Sequence, residues 1–353
     1  MKAIVLTALR QMEIREVPDP TIEKDTDVLL RVERVGVCGS DVHYYETGRV
    51  GDQVVEYPFI IGHECSATVK AVGGAVRRVK VGEPVVVDPA APCGRCEQCR
   101  MGRENTCYAL RFLGTPGQGG GCLCEYLMMP EECCYPTQGR ITLEQAALCE
   151  PLSIGVYAVK RAGMPENASV GILGAGPIGL SVLAAAKAEK ARSFYITDKI
   201  DARLEAARSA GADWVGNPDR DDIIGEIVGR GGGRGGGIKK RRGLDVVFEC
   251  CGQQDALDQA VEIIRPGGKL VLVGIPRQER LSFVCDKIRR KEIDLFNIRR
   301  QNRCVRLAMD LIADGRVEVD YMITHRFEFE RTTDAFDLVA AYGDGVIKAM
   351  IEL

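Results

Sequence analysis

Cys93, Cys96, Cys99 and Cys107, spaced by three, three and eight in CGRCEQCRMGRENTC, place four sulfur ligands on one short loop. Thiolates grouped in this way suit a tetrahedral Zn²⁺ with bonds of about 2.3 Å, in a closed site that is structural rather than reactive. Disulfides are the competing use of the same thiols. They belong to oxidising compartments, and this chain reads as cytosolic.

A second constellation comes from two separated segments, Cys38 in GVCGSDVHYY and His63-Glu64 in IIGHEC. A thiolate, an imidazole and a carboxylate can also hold zinc, and three protein ligands leave a fourth position for water or substrate, as a catalytic ion requires. Singly, a buried cysteine or a core histidine would be unremarkable. The chain has only 3 histidines, however, and two of them, His43 and His63, fall in these segments.

Beyond both of them lies a glycine run, Gly174-Ala175-Gly176-Pro177-Ile178-Gly179. Such spacing alone is weak evidence, but here it follows the strand-like SVGIL and opens an apolar helix. Glycines in that position allow a tight turn and bring a pyrophosphate onto a helix N-terminus. Asp198 ends the next strand-like run, where a carboxylate accepts hydrogen bonds from the ribose hydroxyls of an adenosine and repels a 2′-phosphate. NAD is therefore the expected cofactor, although Lys199 and Arg203 stand close enough in sequence to attract a phosphate.

These residues need elements to hold them. With 353 residues, the chain is long enough for about two domains at roughly 150 residues each. Residues 1 to about 150 are short Val-rich runs broken by Gly and Pro, which predict a β-rich domain whose first two strands lie in MKAIVLTALRQMEIREV. From 152 to 298 the texture changes. SVGILG, SFYITD, LDVVFEC and KLVLVG alternate with helix-like runs, the pattern of a doubly wound parallel sheet. The tail predicts two helices, CVRLAMDLIADGRV and TTDAFDLVAAYGDG, and a last strand in VIKAMIEL. A stretch rich in Gly and Arg, residues 229–243, reads as a surface loop, because its composition cannot form a packed element.

Composition excludes several function classes. A hydrophobic content of 46% with 27% charged residues is ordinary for a globular protein, and no apolar run approaches the roughly 18 residues of a membrane span. A net charge of −3 gives no general attraction to nucleic acid or anionic membrane. The start lacks the apolar core of a signal peptide, so the expectation is a cytoplasmic protein without nucleic-acid or membrane partners. Of 15 cysteines, the five assigned to metal leave ten, read as buried free thiols.

With these motifs on the page, the chain resembles the zinc-dependent medium-chain alcohol/polyol dehydrogenases, most closely the sorbitol and xylitol dehydrogenase group. The similarity runs from GVCGSDVHYYETGRVG through GHE, the cysteine lobe, CEPLS and GAGPIG to the late THRF. It implies an α/β protein with a GroES-like β-rich catalytic domain (1–151, with the structural zinc lobe), a Rossmann NAD-binding domain (152–298) and a C-terminal return to the first (299–353). Carried over by position, Cys38, His63 and Glu64 match catalytic zinc ligands, and Asp41 matches the carboxylate that orients the imidazole. Glu150 matches an acid that contacts the zinc-bound water or exchanges as a ligand. Ser40 and His43 match a proton relay, while Tyr44, Phe112, Arg300 and Gln301 fall where such enzymes line a polyol pocket. The cofactor set implied is Gly174, Gly176, Pro177, Ile178, Gly179, Asp198, Arg203, Val273, Gly274 and Ile275. Two zinc ions per chain, NAD, a polyol or secondary alcohol substrate and a homotetramer follow from the resemblance.

Two departures stand out. Arg300-Gln301 replaces the Arg-Tyr usual in sorbitol dehydrogenases, which changes a pocket wall. All four lobe cysteines are kept, whereas mammalian sorbitol dehydrogenases lack a complete lobe. Two alternatives remain open at this point: a threonine or butanediol dehydrogenase with the same ligands, and a silent zinc and NAD binder contacting RNA through the Gly/Arg stretch.

Overall fold

The computed structural model describes residues 1–230 and 243–353. The Gly/Arg stretch expected to be a surface loop lies almost wholly outside the described residues. The chain forms two compact units, Met1–Pro151 with Asn302–Leu353, and Leu152–Gln301. Arg299, Arg300 and Gln301 thus sit with the second unit, three residues beyond the boundary read from sequence.

In the first unit, alternating Val and Leu side chains drive the strand Asp27–Gly36 into the middle of a seven-stranded sheet. One neighbour is Glu64–Val72, antiparallel, with Gly36 opposite Glu64 and Val35 opposite Cys65. The opposite edge is shared by Tyr126–Pro130 along its first half and, along its second, by the chain's last strand, Lys348–Glu352, antiparallel with Met350 opposite Gly36. The backbone continues this register, since Val37 N–H donates to Ala349 O at 2.9 Å. The ends carrying Cys38, Glu64 and Lys348 therefore come together at one margin of the sheet. Beneath it, Val28, Leu30, Val32, Ile61, Leu123 and Phe336 form a buried cluster. Burying each such side chain contributes roughly 1.5–3 kcal/mol.

The expected N-terminal pair is present as Lys2–Ala8 against Gln11–Glu16. The tail has its two helices, Val305–Ala313 and Thr332–Ala340, and its final strand. It also has a strand absent from the sequence reading, Ile323–Glu328, parallel to the last one. Its burial alternates along ITHRFE, the half-buried pattern of a sheet with one wet face.

The second unit holds a six-stranded parallel sheet. Numbered within the unit, its strands run 3-2-1-4-5-6, the dinucleotide-binding order of a doubly wound sheet. Its central strands, Ser169–Leu173 and Leu244–Glu249, are buried throughout, as helices on both faces require. Strand order reverses between these two, so their carboxyl ends mark the switch point where ligands bind such sheets.

Candidate active site and cofactor site

The four-thiol loop folds around a short helical turn, Glu97–Arg100, and a 3₁₀ turn, Glu104–Thr106. The sulfurs of Cys93, Cys96, Cys99 and Cys107 converge within 4.8 Å of one another. Cys96 Sγ stands 3.5 Å from Cys99 Sγ and 3.8 Å from Cys107 Sγ. Tetrahedral zinc with bonds near 2.3 Å needs sulfur separations of about 3.8 Å, so the loop fits that ion. Backbone N–H groups of Cys99 and Tyr108 draw the Cys96 thiol down to about 6, favouring the thiolate a metal binds. Burial instead pushes Cys99 up to about 12, since further thiolates in the same nest need a cation beside them. The lobe is tied to the returning chain by Arg303 on Glu104 and by Asn302 Nδ2 donating to Gly102 O at 2.8 Å.

At the sheet margin, Cys38, His63 and Glu64 bring one ligand atom each within 4.8 Å of the others. Cys38 caps the helix Gly39–Thr47, which carries Ser40, Asp41, His43 and Tyr44 on its first turns. Ser40 Oγ donates to Cys38 Sγ at 3.3 Å. Asp41, fully buried, lies 3.2 Å from His63 Nδ1, which commits that nitrogen and leaves Nε2 for a ligand role. Burial opposes a charge on the His63 ring, but Asp41 and Cys38 outweigh it and hold its pKa well above the usual value. The Phe112 ring covers His63, with centroids 5.3 Å apart. Tyr44 is buried and donates to Gln53 Oε1 at 3.3 Å.

Glu150 comes from the helix Leu143–Ala162 and is 4% exposed. Burial raises its pKa to about 7, with His63 drawing it down and Glu64 pushing it up. That mutual influence couples the carboxylate electrostatically to the same group of ligands. Soft thiolate, imidazole and carboxylate with an open fourth position fit a catalytic zinc. Arg300 and Gln301 close the second unit, and Gln301 is buried.

The glycine run lies where the cofactor argument requires it. Gly174 directly follows the first strand of the parallel sheet, Ser169–Leu173, with φ +101°, and a side chain on Gly179 would stand 1.8 Å from Gly174 O. Pro177 opens the helix Pro177–Ala188 with Gly176 as its cap, leaving backbone N–H groups for a pyrophosphate. Asp198 Oδ2 accepts from Ala175 N–H at 2.7 Å, and Oδ1 from Ile200 N–H at 2.9 Å. Its carboxylate thus steadies the turn. Arg203 is buried with its guanidinium against Gly176, while Lys199 is paired with Asp219 at 2.7 Å. We expect Asp198→Ala to shift the NAD to NADP ratio of kcat/KM by about 10- to 100-fold toward NADP, because charged hydrogen bonds of roughly 1.5–3 kcal/mol are lost along with the repulsion of a 2′-phosphate. Steady-state kinetics with both cofactors measure this, and wild-type preference for NADP would refute the assignment.

Sequence reasoning missed two features. Glu249 ends a buried strand and accepts from Cys251 N–H at 2.8 Å and Gly252 N–H at 2.6 Å, building the other lip of the switch point. Its backbone oxygen also accepts from Val273 and Gly274, which places that pair of the proposed cofactor loop beside it, with Ile275 exposed just after. An acid closing the apolar run LDVVFE was the available signal. The second is Lys348, 1% exposed, whose ammonium meets Glu64 Oε2 at 2.5 Å. Its signal was a lone lysine inside an apolar final strand. Of the ten other cysteines, all free, Cys251 and Cys285 are exposed and Cys250 is half-buried, which corrects the sequence reading for those three.

Comparison with known proteins agrees with this geometry. Residues 24–139 match the alcohol dehydrogenase GroES-like domain and residues 177–314 the zinc-binding dehydrogenase domain. The sorbitol dehydrogenase of Bacillus subtilis is 38% identical over 99% of this chain and 97% of its own. D-xylulose reductase A of Aspergillus oryzae is 35% identical over 98% of this chain and 94% of its own. Among solved structures, an oxidoreductase/dehydrogenase of unknown specificity from Escherichia coli superposes with a TM-score of 0.91 at 31% identity, covering 99% of this chain and 98% of that one.

Proposed function

This chain belongs to the zinc-binding medium-chain dehydrogenase family, and from that premise we propose that it interconverts a polyol of the sorbitol or xylitol type and the corresponding ketose, with NAD as hydride carrier. The observation that carries the reading is the meeting of Cys38, His63 and Glu64 within 4.8 Å, with buried Glu150 coupled electrostatically to His63 and Glu64. Relatives named for sorbitol and xylulose support the substrate class.

Cys38, His63 and Glu64 would hold a zinc that would supply Lewis acidity to a substrate hydroxyl, and the Gly174–Gly179 turn would hold NAD as the hydride acceptor. The chain's own residues do the rest. Asp41 holds the His63 ring in one tautomer. Ser40 Oγ takes the hydroxyl proton and passes it to His43, which carries it outward. Glu150 contacts the hydroxyl under reaction, and Tyr44 and Phe112, on the same unit, line its surroundings. Polar groups at Glu64 and Glu150 suit a substrate with a neighbouring hydroxyl better than a simple alcohol. The Cys93, Cys96, Cys99, Cys107 lobe holds a second, structural zinc.

No helix among the described residues is long and apolar enough to cross a membrane. The reading includes a cytoplasmic homotetramer, which light scattering of the purified protein tests.

The decisive experiment is NADH formation across sorbitol, xylitol, ribitol, arabinitol, threonine and butanediol. A kcat/KM at least about 10-fold higher on one polyol than on threonine or butanediol, a discrimination of roughly 1.4 kcal/mol, is the expected result. Preference for threonine or butanediol would move the chain to another branch of the family. RNA retention that falls with salt, without alcohol oxidation, would make it a binder rather than an enzyme.

A further inference from the structure

Lys348 is fully buried and sits 284 residues from the carboxylate it meets. Its Nζ contacts Glu64 Oε2 at 2.5 Å and donates to Val37 O at 3.0 Å, one residue before Cys38. The slot that admits the carboxylate is made by Gly36, where an added Cβ would stand 2.4 Å from Glu64 Oε2 and 3.4 Å from Lys348 Cδ. Gly36, Glu64 and the last strand are brought abreast by the sheet register itself. A buried ammonium with this anchoring is expensive to desolvate, so the pair needs a reason beyond packing.

We propose that Lys348 is the positioning residue of the Cys38, His63, Glu64 ion site. It grips one oxygen of Glu64 and fixes the carboxylate's rotation, leaving the other oxygen for the ion, and it ties that grip to the backbone beside Cys38. Partners behind ligating carboxylates and imidazoles act in this way, and their loss commonly lowers metal affinity by about 10- to 100-fold. The proposal rests on Cys38, His63 and Glu64 being metal ligands.

The test is titration of the purified chain against zinc buffers, with metal content read by elemental analysis. The wild type should hold two ions with two release midpoints, and Cys38→Ser identifies the midpoint of its own site by removing it. Lys348→Met should raise the free zinc at which that ion is lost by about 10-fold or more, and leave the four-thiol midpoint unchanged. Gly36→Ala, which keeps the lysine but fills the carboxylate's slot, should do the same, so the proposal remains testable if Lys348→Met folds poorly. In a Glu64→Gln background, Lys348→Met should change the midpoint no further, because a residue acting through Glu64 has nothing left to hold.

Unaltered midpoints, tighter zinc, or full additivity with Glu64→Gln would overturn the proposal and leave Lys348 a packing residue. A wild-type chain that binds only one zinc would instead refute the ligand assignment on which it rests.

Discussion

Cys99→Ser should reduce the zinc content from two ions per chain to about one and lower the thermal midpoint by about 10 °C, while turnover per folded molecule stays near normal. Four sulfurs closing one loop make the ion part of the fold, since its binding free energy is available only to the folded chain. The lobe is bound to the rest of its unit by the Arg303–Glu104 pair and by Asn302 on Gly102, so its loosening is felt beyond the loop. A loss on the order of 3–5 kcal/mol is reasonable, less than an isolated zinc finger would suffer, because the sheet beneath persists. At about 2–4 °C per kcal/mol for a domain of this size, that gives the stated shift. Cys99 sits 6% exposed among donors with no open coordination position, so chemistry should be spared. Metal analysis, a melting curve and kcat on one preparation decide the matter. An unchanged midpoint with abolished turnover would mean that the two sites had been exchanged.

What could be read from sequence follows from how local each feature is. The four thiols lie within fifteen residues, and the Gly174 to Gly179 turn is a single strand-to-helix junction, so spacing alone carries their chemistry. The parallel sheet was legible because both faces are covered, making its strands continuous apolar runs such as SVGIL. Cys38 and His63-Glu64 are 25 residues apart, so they were grouped by ligand type rather than by spacing, and resemblance supplied their role as catalytic ligands. Their meeting depends on the antiparallel register that sets Gly36 opposite Glu64. Lys348 was out of reach for the same reason at greater range, because the last strand joins Asp27–Gly36 only when the whole first unit closes. Among the described residues, the strand Ile323–Glu328 pairs only with that late arrival, and its alternating ITHRFE was overlooked in a tail dominated by two helical periods.

Glu150→Gln should leave both zinc ions and NAD affinity nearly intact and lower kcat by about 10²-fold or more, on the order of 3 kcal/mol of transition-state stabilisation. The amide keeps the shape of the side chain, so packing is preserved. What disappears is a group able to exchange a proton or to take and release a place beside the reacting hydroxyl. The site argues that this matters. Glu150 is almost fully buried, burial holds its pKa near 7, and His63 and Glu64 are the first charges it feels. A buried carboxyl coupled electrostatically to two proposed metal ligands is placed to act on a group bound beside them. A purely structural duty at the Glu150-Pro151 junction fits less well, because the helix Leu143–Ala162 continues through Pro151 and has no terminus there for a carboxylate to cap. The two roles separate in measurement. Loss of a structural group would lower the melting midpoint and spare turnover per folded molecule, whereas loss of a catalytic group lowers kcat with zinc content and midpoint unchanged. Near-normal kcat at full zinc content would remove Glu150 from the catalytic machinery and leave the Ser40 and His43 relay to carry the proton unaided.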